Sequence, residues 1–421
     1  MARSHDLLGE ADRALLGRLS AFTGSFELDD AGTRPAYWRW AAESAGRRAD
    51  EAAGPDAARA LRRLDLASAD LTAAAEQSLT AGRLDLAART VGHVGRCILW
   101  IPGMALAEVT LAVGDHPRLP GVAGESLARG AAAIAAVERG ELERAERLGR
   151  LARETATAPA ERFLASVALG VTAVYAGDWE LAVRRWRRVL TIDGLPAAYT
   201  ADAHAVLALL LAATGSPGEP GKHAAEHAAD ARRAAERSGA PSRTAFALYA
   251  SGEVLLATDH VAAVDVLREA ARMADTANAV QVAAVARVAL LAALTRTGRT
   301  AEAVDLSLTL LELQQRRSYW AQLWNIMRIL AELFTAAGRL ETAELILAAA
   351  EASESAPVPA GVDIERHRLL RRRVHEGLGT ERADRIAAIA RLLPRTEILN
   401  RARDTARALS RGEPEHPTDT R

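Results

Sequence analysis

Apolar positions recur along this chain at helical intervals. Trp179, Val183, Trp186 and Leu190 follow one another at steps of four, three and four residues, with Glu180, Arg184, Arg185, Arg187 and Arg188 between them. Such a stripe lies on one face of an amphipathic helix. Stripes of this kind alternate with a short recurring signal: a small residue, Gly, a polar residue, and Ala five positions after the Gly. The signal reads Gly82-Arg-Leu-Asp-Leu-Ala87, Gly140-Glu-Leu-Glu-Arg-Ala145, Gly177-Asp-Trp-Glu-Leu-Ala182, Gly298-Arg-Thr-Ala-Glu-Ala303 and Gly338-Arg-Leu-Glu-Thr-Ala343. Thr258-Asp-His-Val-Ala-Ala263 is a copy without its Gly, and Gly215 ends another helix in the series. From Gly140 onward the steps are 37, 38, 43, 40 and 40 residues.

Glycine just past a helix takes the left-handed conformation without a Cβ penalty. The small Ala of the next helix lets the two helices of a hairpin approach closely. A fixed period of 20 to 50 residues marks a solenoid. The prediction is therefore an all-α, right-handed α-solenoid of about eighteen to twenty helices, stacked as antiparallel TPR-like pairs with a period of about 37–43 residues. Pro35, Pro55, Pro159, Pro196 and Pro241 stand where first helical positions belong. The predicted organisation is a short helical unit over 1–34, a solenoid over 35–350, a linker over 351–362, a helical cap over 363–411 and a disordered tail over 412–421.

Composition supports this reading. Of 421 residues, 96 are Ala and 4% are aromatic, which favours helix over strand. Lys and Arg total 53 against 54 Asp and Glu, so net charge gives no reason to expect direct nucleic-acid or membrane binding. The single Cys97 excludes an intrachain disulfide and Cys-based zinc patterns. The N-terminus has acids at Asp6, Glu10 and Asp12 and no apolar core segment, so it does not read as a signal peptide. The longest uncharged run, 203–218, is too short and too broken to span a bilayer. Cytoplasmic location is the expectation.

Candidate chemistry is sparse. His223, Glu226 and His227 form an H-x-x-E-H pattern, which on a helix puts two imidazoles on one face and could hold zinc with Glu226 as general base. The same helix is Ala-rich and charged, as a solvated solenoid helix would be. Gly215 to His223 falls short of a phosphate loop: the first position of the frame is Ser216 in place of Gly, His223 replaces the hydroxyl after Lys222, and a helix precedes it. Arg184, Arg185, Arg187 and Arg188 surround Trp186 and could form a groove for acidic peptides or phosphates, or simply flank the apolar stripe. Tyr319, Trp320 and Trp324 could line a pocket or anchor packing. These residues are the candidate partner-binding positions. No catalytic residue and no cofactor are predicted.

Leu15-Leu16 through Phe26-Glu-Leu-Asp resembles the segment opening the winged-helix region of AfsR-like and large LuxR-type STAND-class bacterial regulators. Leu64 to Leu79 followed by Ala81-Gly82-Arg-Leu resembles the start of their sensor solenoid. Tyr319-Trp320 through Ala352 resembles their last repeats. The resemblance implies a TPR-like sensor. This sequence shows neither the NB-ARC ATPase nor the DNA-binding domain of that family, so ATP hydrolysis and operator binding are not carried over. The expectation is a non-enzymatic scaffold in signal transduction or transcriptional regulation, binding a protein, peptide or small effector. The alternatives are a zinc hydrolase built on His223, Glu226 and His227, and a split STAND regulator acting with a separate ATPase or DNA-binding subunit.

Overall fold

The computed structural model describes residues 33–97, 100, 106–214, 222–316, 320–353, 355–357, 359 and 361–413. The predicted unit over 1–34 lies almost wholly outside this range. Twenty helices and no strand occur among the described residues. They are α1 (Thr33–Glu51), α2 (Ala57–Leu66), α3 (Ser68–Thr80), α4 (Leu84–Gly95), α5 (Ala107–Gly114), α6 (Glu125–Glu138) and α7 (Leu142–Thr155). There follow α8 (Pro159–Tyr175), α9 (Trp179–Val189), α10 (Ala197–Thr214), α11 (Lys222–Ser238), α12 (Pro241–Leu255), α13 (His260–Thr276) and α14 (Val280–Arg296). The last six are α15 (Thr300–Arg316), α16 (Trp320–Ala336), α17 (Leu340–Ala352), α18 (Val362–Leu378), α19 (Thr380–Leu392) and α20 (Arg395–Ser410). The chain is an all-α solenoid.

The hairpin turns follow from the repeat signal. Gly82, Gly140, Gly177, Gly298 and Gly338 all hold φ between 71° and 77°, the left-handed cap geometry that only glycine adopts cheaply. The copy without Gly is closed differently: the Asp259 carboxylate accepts from the backbone N–H of Val261 and Ala262 and caps α13. Pro159 and Pro241 stand at the first turns of α8 and α12. At α8 the Glu161 carboxylate also reaches back to the N–H groups of Thr157 and Ala158. Pro55 and Pro196 fall just before their helices rather than inside them.

Two layers result. Most inner helices pack on the next inner helix: α4 on α6, α6 on α8, α10 on α12, α12 on α14 and α14 on α16, whereas α8 and α10 are joined chiefly through α9. No comparable packing joins successive outer helices α7, α9, α11, α13, α15 and α17 among the described residues. The inner row is therefore crowded, the outer row splayed, and the stack curves. Burial shows the same division. Inner α6 is buried at every position from Glu125 to Val137, as expected of a helix packed all round. Outer α7 buries one stripe, Ala145, Leu148, Gly149 and Ala152. Inner α10 is long and apolar enough to cross a membrane by length and composition alone, but it carries the buried Asp202 and packs inside the stack.

The winding brings distant segments together. Helix α12 packs on α2, and α18 packs on α10. The irregular stretch between α17 and α18 spans 353–361. Of the predicted tail, Gly412 and Glu413 are described, with the Glu413 carbonyl accepting from the Arg339 guanidinium. Residues 414–421 lie outside the description.

Candidate functional site

The inner face carries a chain of polar and aromatic groups. At one end, Arg96 donates to the Tyr199 hydroxyl at 2.8 Å and pairs with Asp50 at 2.7 Å. Tyr199 stacks on Phe163 with ring centroids 4.3 Å apart. His93 lies one turn before Arg96; burial, with Arg96 beside it, pushes its pKa down to about 4, so the imidazole is neutral.

Arg243 occupies the middle. It is 2% exposed. Its guanidinium donates to the Ala52 carbonyl, faces Asp202 at 3.4 Å and lies 4.3 Å above the Trp100 ring. Burial pushes Asp202 up to about 6, against the pull of Arg243. Trp100 meets Phe246 edge-on at 5.6 Å, and Phe246 stacks toward Tyr249 at 6.2 Å.

Beside Tyr249 lies a cavity of about 410 Å³. Inner helices supply most of its wall: Tyr249 and Glu253 from α12, Arg296 from α14, and Asn325, Arg328 and Glu332 from α16. Tyr249 hydrogen-bonds to the Glu253 carboxyl, and burial pushes both groups upward. Both keep some accessible surface although they lie deep in the molecule, because they face the cavity. Arg296 forms two hydrogen bonds to Glu332, at 3.2 and 3.4 Å. Burial lowers the pKa of Arg328, with Glu351 and Asp363 opposing. Its Nε has no hydrogen-bond partner. The far wall is Pro357, Pro359 and the first turns of α18. Such a site can bind a ligand with both acceptor and donor groups. Cys97 lies outside this cavity and is buried, which pushes its thiol up to about 11.

The residues singled out in the sequence lie mostly elsewhere. His223 and Glu226 are exposed and 3.6 Å apart. His227 turns to the neighbouring helix, its Nδ1 2.8 Å from Nδ1 of His204. No cluster of three or more His, Cys, Asp or Glu among the described residues is arranged to hold a metal. Trp186 is 1% exposed, and Arg184, Arg187 and Arg188 are exposed around it. Arg185 is half-buried: it pairs with Glu146 at 2.6 Å and donates to the Leu169 carbonyl at 2.6 Å. With Glu146 it lines an open depression of about 690 Å³ on the outer side. Tyr319 lies outside the described residues, and Trp320 is the first residue of α16. Trp324 is 1% exposed and donates its indole N–H to Ser355 Oγ at 3.1 Å. Sequence reasoning missed Arg96, Asp202, Arg243, Tyr249, Glu253, Arg296 and Arg328. Asp202 is the one charged residue in the apolar α10, and Arg243 the one arginine on α12, and that isolation was the available signal for these two; the others stand at helix ends or beside further polar residues.

The fold and the cavity together define a helical-repeat protein with a polar cavity on its inner face. No family model matches the chain, and no curated protein matches it. Among solved structures, it is similar to a signal transduction ATPase with numerous domains (STAND) with a tetratricopeptide repeat sensor from Pyrococcus horikoshii. The identity is 15% and the TM-score 0.49, over 83% of this chain and 55% of that one. The chain thus spans about half the length of that protein.

Proposed function

We propose that this protein is a non-enzymatic regulatory scaffold whose working surface is the inner-face cavity, where it takes up a protein segment, a peptide or a small effector. The observation that carries this reading is the convergence of Glu253, Arg296, Arg328 and Glu332, from three successive inner helices, on one cavity. Charged side chains are costly to bury unless paired, and a structural core gains nothing from gathering them around empty space. Ligand entry would exchange the Arg296–Glu332 pair and the Tyr249–Glu253 hydrogen bond for bonds to the ligand. Because the inner helices pack on one another, a shift at α14 would pass to α12 and α16, which suits a sensor.

The sequence resemblance to STAND regulators extends this to signal transduction or transcriptional control in the cytoplasm, with a separate ATPase or DNA-binding subunit as partner. Hydrogen exchange of the full chain, with and without its partner captured from native lysate, tests the reading. Protection concentrated on α12, α14 and α16 is expected. Protection confined to α7, α9 and α11 would overturn it.

A further inference from the structure

The stretch 353–361 differs from the glycine hairpin turns. Where α14 joins α15 and α16 joins α17, a glycine turn starts the next helix within two residues. Between α17 and α18, Pro357 and Pro359 instead line the cavity. The described residues of the stretch are bound there as a ligand would be. Ser355 Oγ accepts from the Trp324 indole. The Pro357 carbonyl accepts from the Arg328 guanidinium. Pro357 and Pro359 both face the cavity. At the far end Gly361 holds φ +56°, and a Cβ there would overlap the carbonyl oxygen of Ala213 at the end of α10. The segment is thus held by α16 at Ser355 and Pro357 and fits closely against the end of α10 at Gly361.

From this we infer that the cavity is a peptide-binding groove, that Ser355, Pro357, Pro359 and Gly361 mark its resident occupant, and that its ligand in trans is an extended peptide with the same Ser-x-Pro-x-Pro chemistry. The inference rests on the cavity being the working surface and names its occupant and its regulation. The chemistry is complementary. Proline has no N–H, so a segment with alternate prolines offers mainly carbonyl acceptors. The groove answers with donors, the Trp324 indole and the Arg328 guanidinium. Proline also holds the peptide extended before binding, which lowers the ordering cost. Arg328 Nε, a buried donor left without a partner, marks where the resident segment fits imperfectly. A peptide that satisfies it would displace the segment. The resident segment is tethered and so competes at high effective concentration, which makes it an autoinhibitor.

The test uses a fluorescein-labelled peptide of residues 353–362 and the full chain. Wild type should bind it weakly. Gly361→Ala loosens the resident segment without touching the donors and should bind at least tenfold tighter. Arg328→Ala added to Gly361→Ala should return binding to the wild-type level or below. Equal binding by wild type and Gly361→Ala, or by Gly361→Ala with and without Arg328→Ala, would overturn the inference. Hydrogen exchange on wild type gives an arm that needs no variant: saturating unlabelled peptide should speed exchange over 353–361, and unchanged exchange there would also overturn it. If lysate partners protect α12, α14 and α16 while the peptide never displaces 353–361, the cavity reading stands and this inference falls. If the peptide displaces 353–361 while partners protect only outer helices, the reverse holds.

Discussion

Arg187 and Arg188 stand side by side on outer helix α9 and are exposed, while Arg243 stands alone on inner helix α12 and is 2% exposed. The pair on α9 sits in a basic run that draws the eye in the sequence. The single arginine on α12 bridges three segments: the Ala52 carbonyl after α1, Asp202 on α10 and the ring of Trp100. Arg185 lies between these extremes, in the same run as Arg187 but half-buried and paired with Glu146. Clustering along the chain reports which charges water can reach. Isolation within an apolar helix reports which charges the fold must satisfy internally.

The largest effect should come from Arg243→Ala. Removing one partner of a buried pair costs about 3–5 kcal/mol, because the other is left uncompensated. Chemical denaturation should show that loss with little change in far-UV signal before the transition. A loss below about 1 kcal/mol would place Arg243 with the surface arginines and break the comparison.

The pH dependence of stability sharpens it from the other partner. His93 is held near 4 in the folded chain against about 6.5 unfolded, so stability is lost as pH falls through that window. The loss is about 2 kcal/mol between pH 7 and 5. Asp202 is held near 6 against about 3.9 unfolded, so the folded chain binds its proton first, and stability rises by about 1 kcal/mol over the same interval. The two partly cancel in wild type. His204 and His227, both held below their ordinary value by burial, act in the same direction as His93. Asp202→Asn should steepen the fall between pH 7 and 5, and His93→Gln should flatten it. Parallel denaturation curves for all three proteins would refute the assignment.

The smallest effects separate members of one run. Arg185→Ala should cost about 1 kcal/mol through its half-buried pair and its bond to the Leu169 carbonyl. Arg187→Ala and Arg188→Ala should each stay within about 0.5 kcal/mol. Equal costs at all three positions would mean that burial does not order this helix.

Much of the architecture was legible locally. A glycine turn needs only the glycine, and five of them marked five hairpins. The apolar stripe through Trp186 placed that ring on the packed side of α9. What local reading misses is the winding of the stack. Nothing near Arg243 announces that it will meet Ala52, 191 positions away, and nothing near Arg96 announces Tyr199, 103 positions away. The stretch 351–362 reads as a linker from its composition, since Pro357, Pro359 and Gly361 break helices. That Pro357 and Pro359 line a cavity depends on contacts with Trp324, Arg328 and Ala213, which the stacking of the inner row brings to this stretch.

The bond from Arg243 to Ala52 also changes how this molecule should fold. A solenoid built only from neighbouring contacts has low contact order and unfolds in pieces, each repeat nearly independent of the far end. Here one turn of the stack is closed on the turn before it, and α12 cannot settle until the first helices are in place to receive its guanidinium. The N-terminal helices are therefore not a detachable cap. Shortening the chain from that end would leave a buried cation without its carbonyl partner, and cooperativity would reach across repeats that never touch through their neighbours.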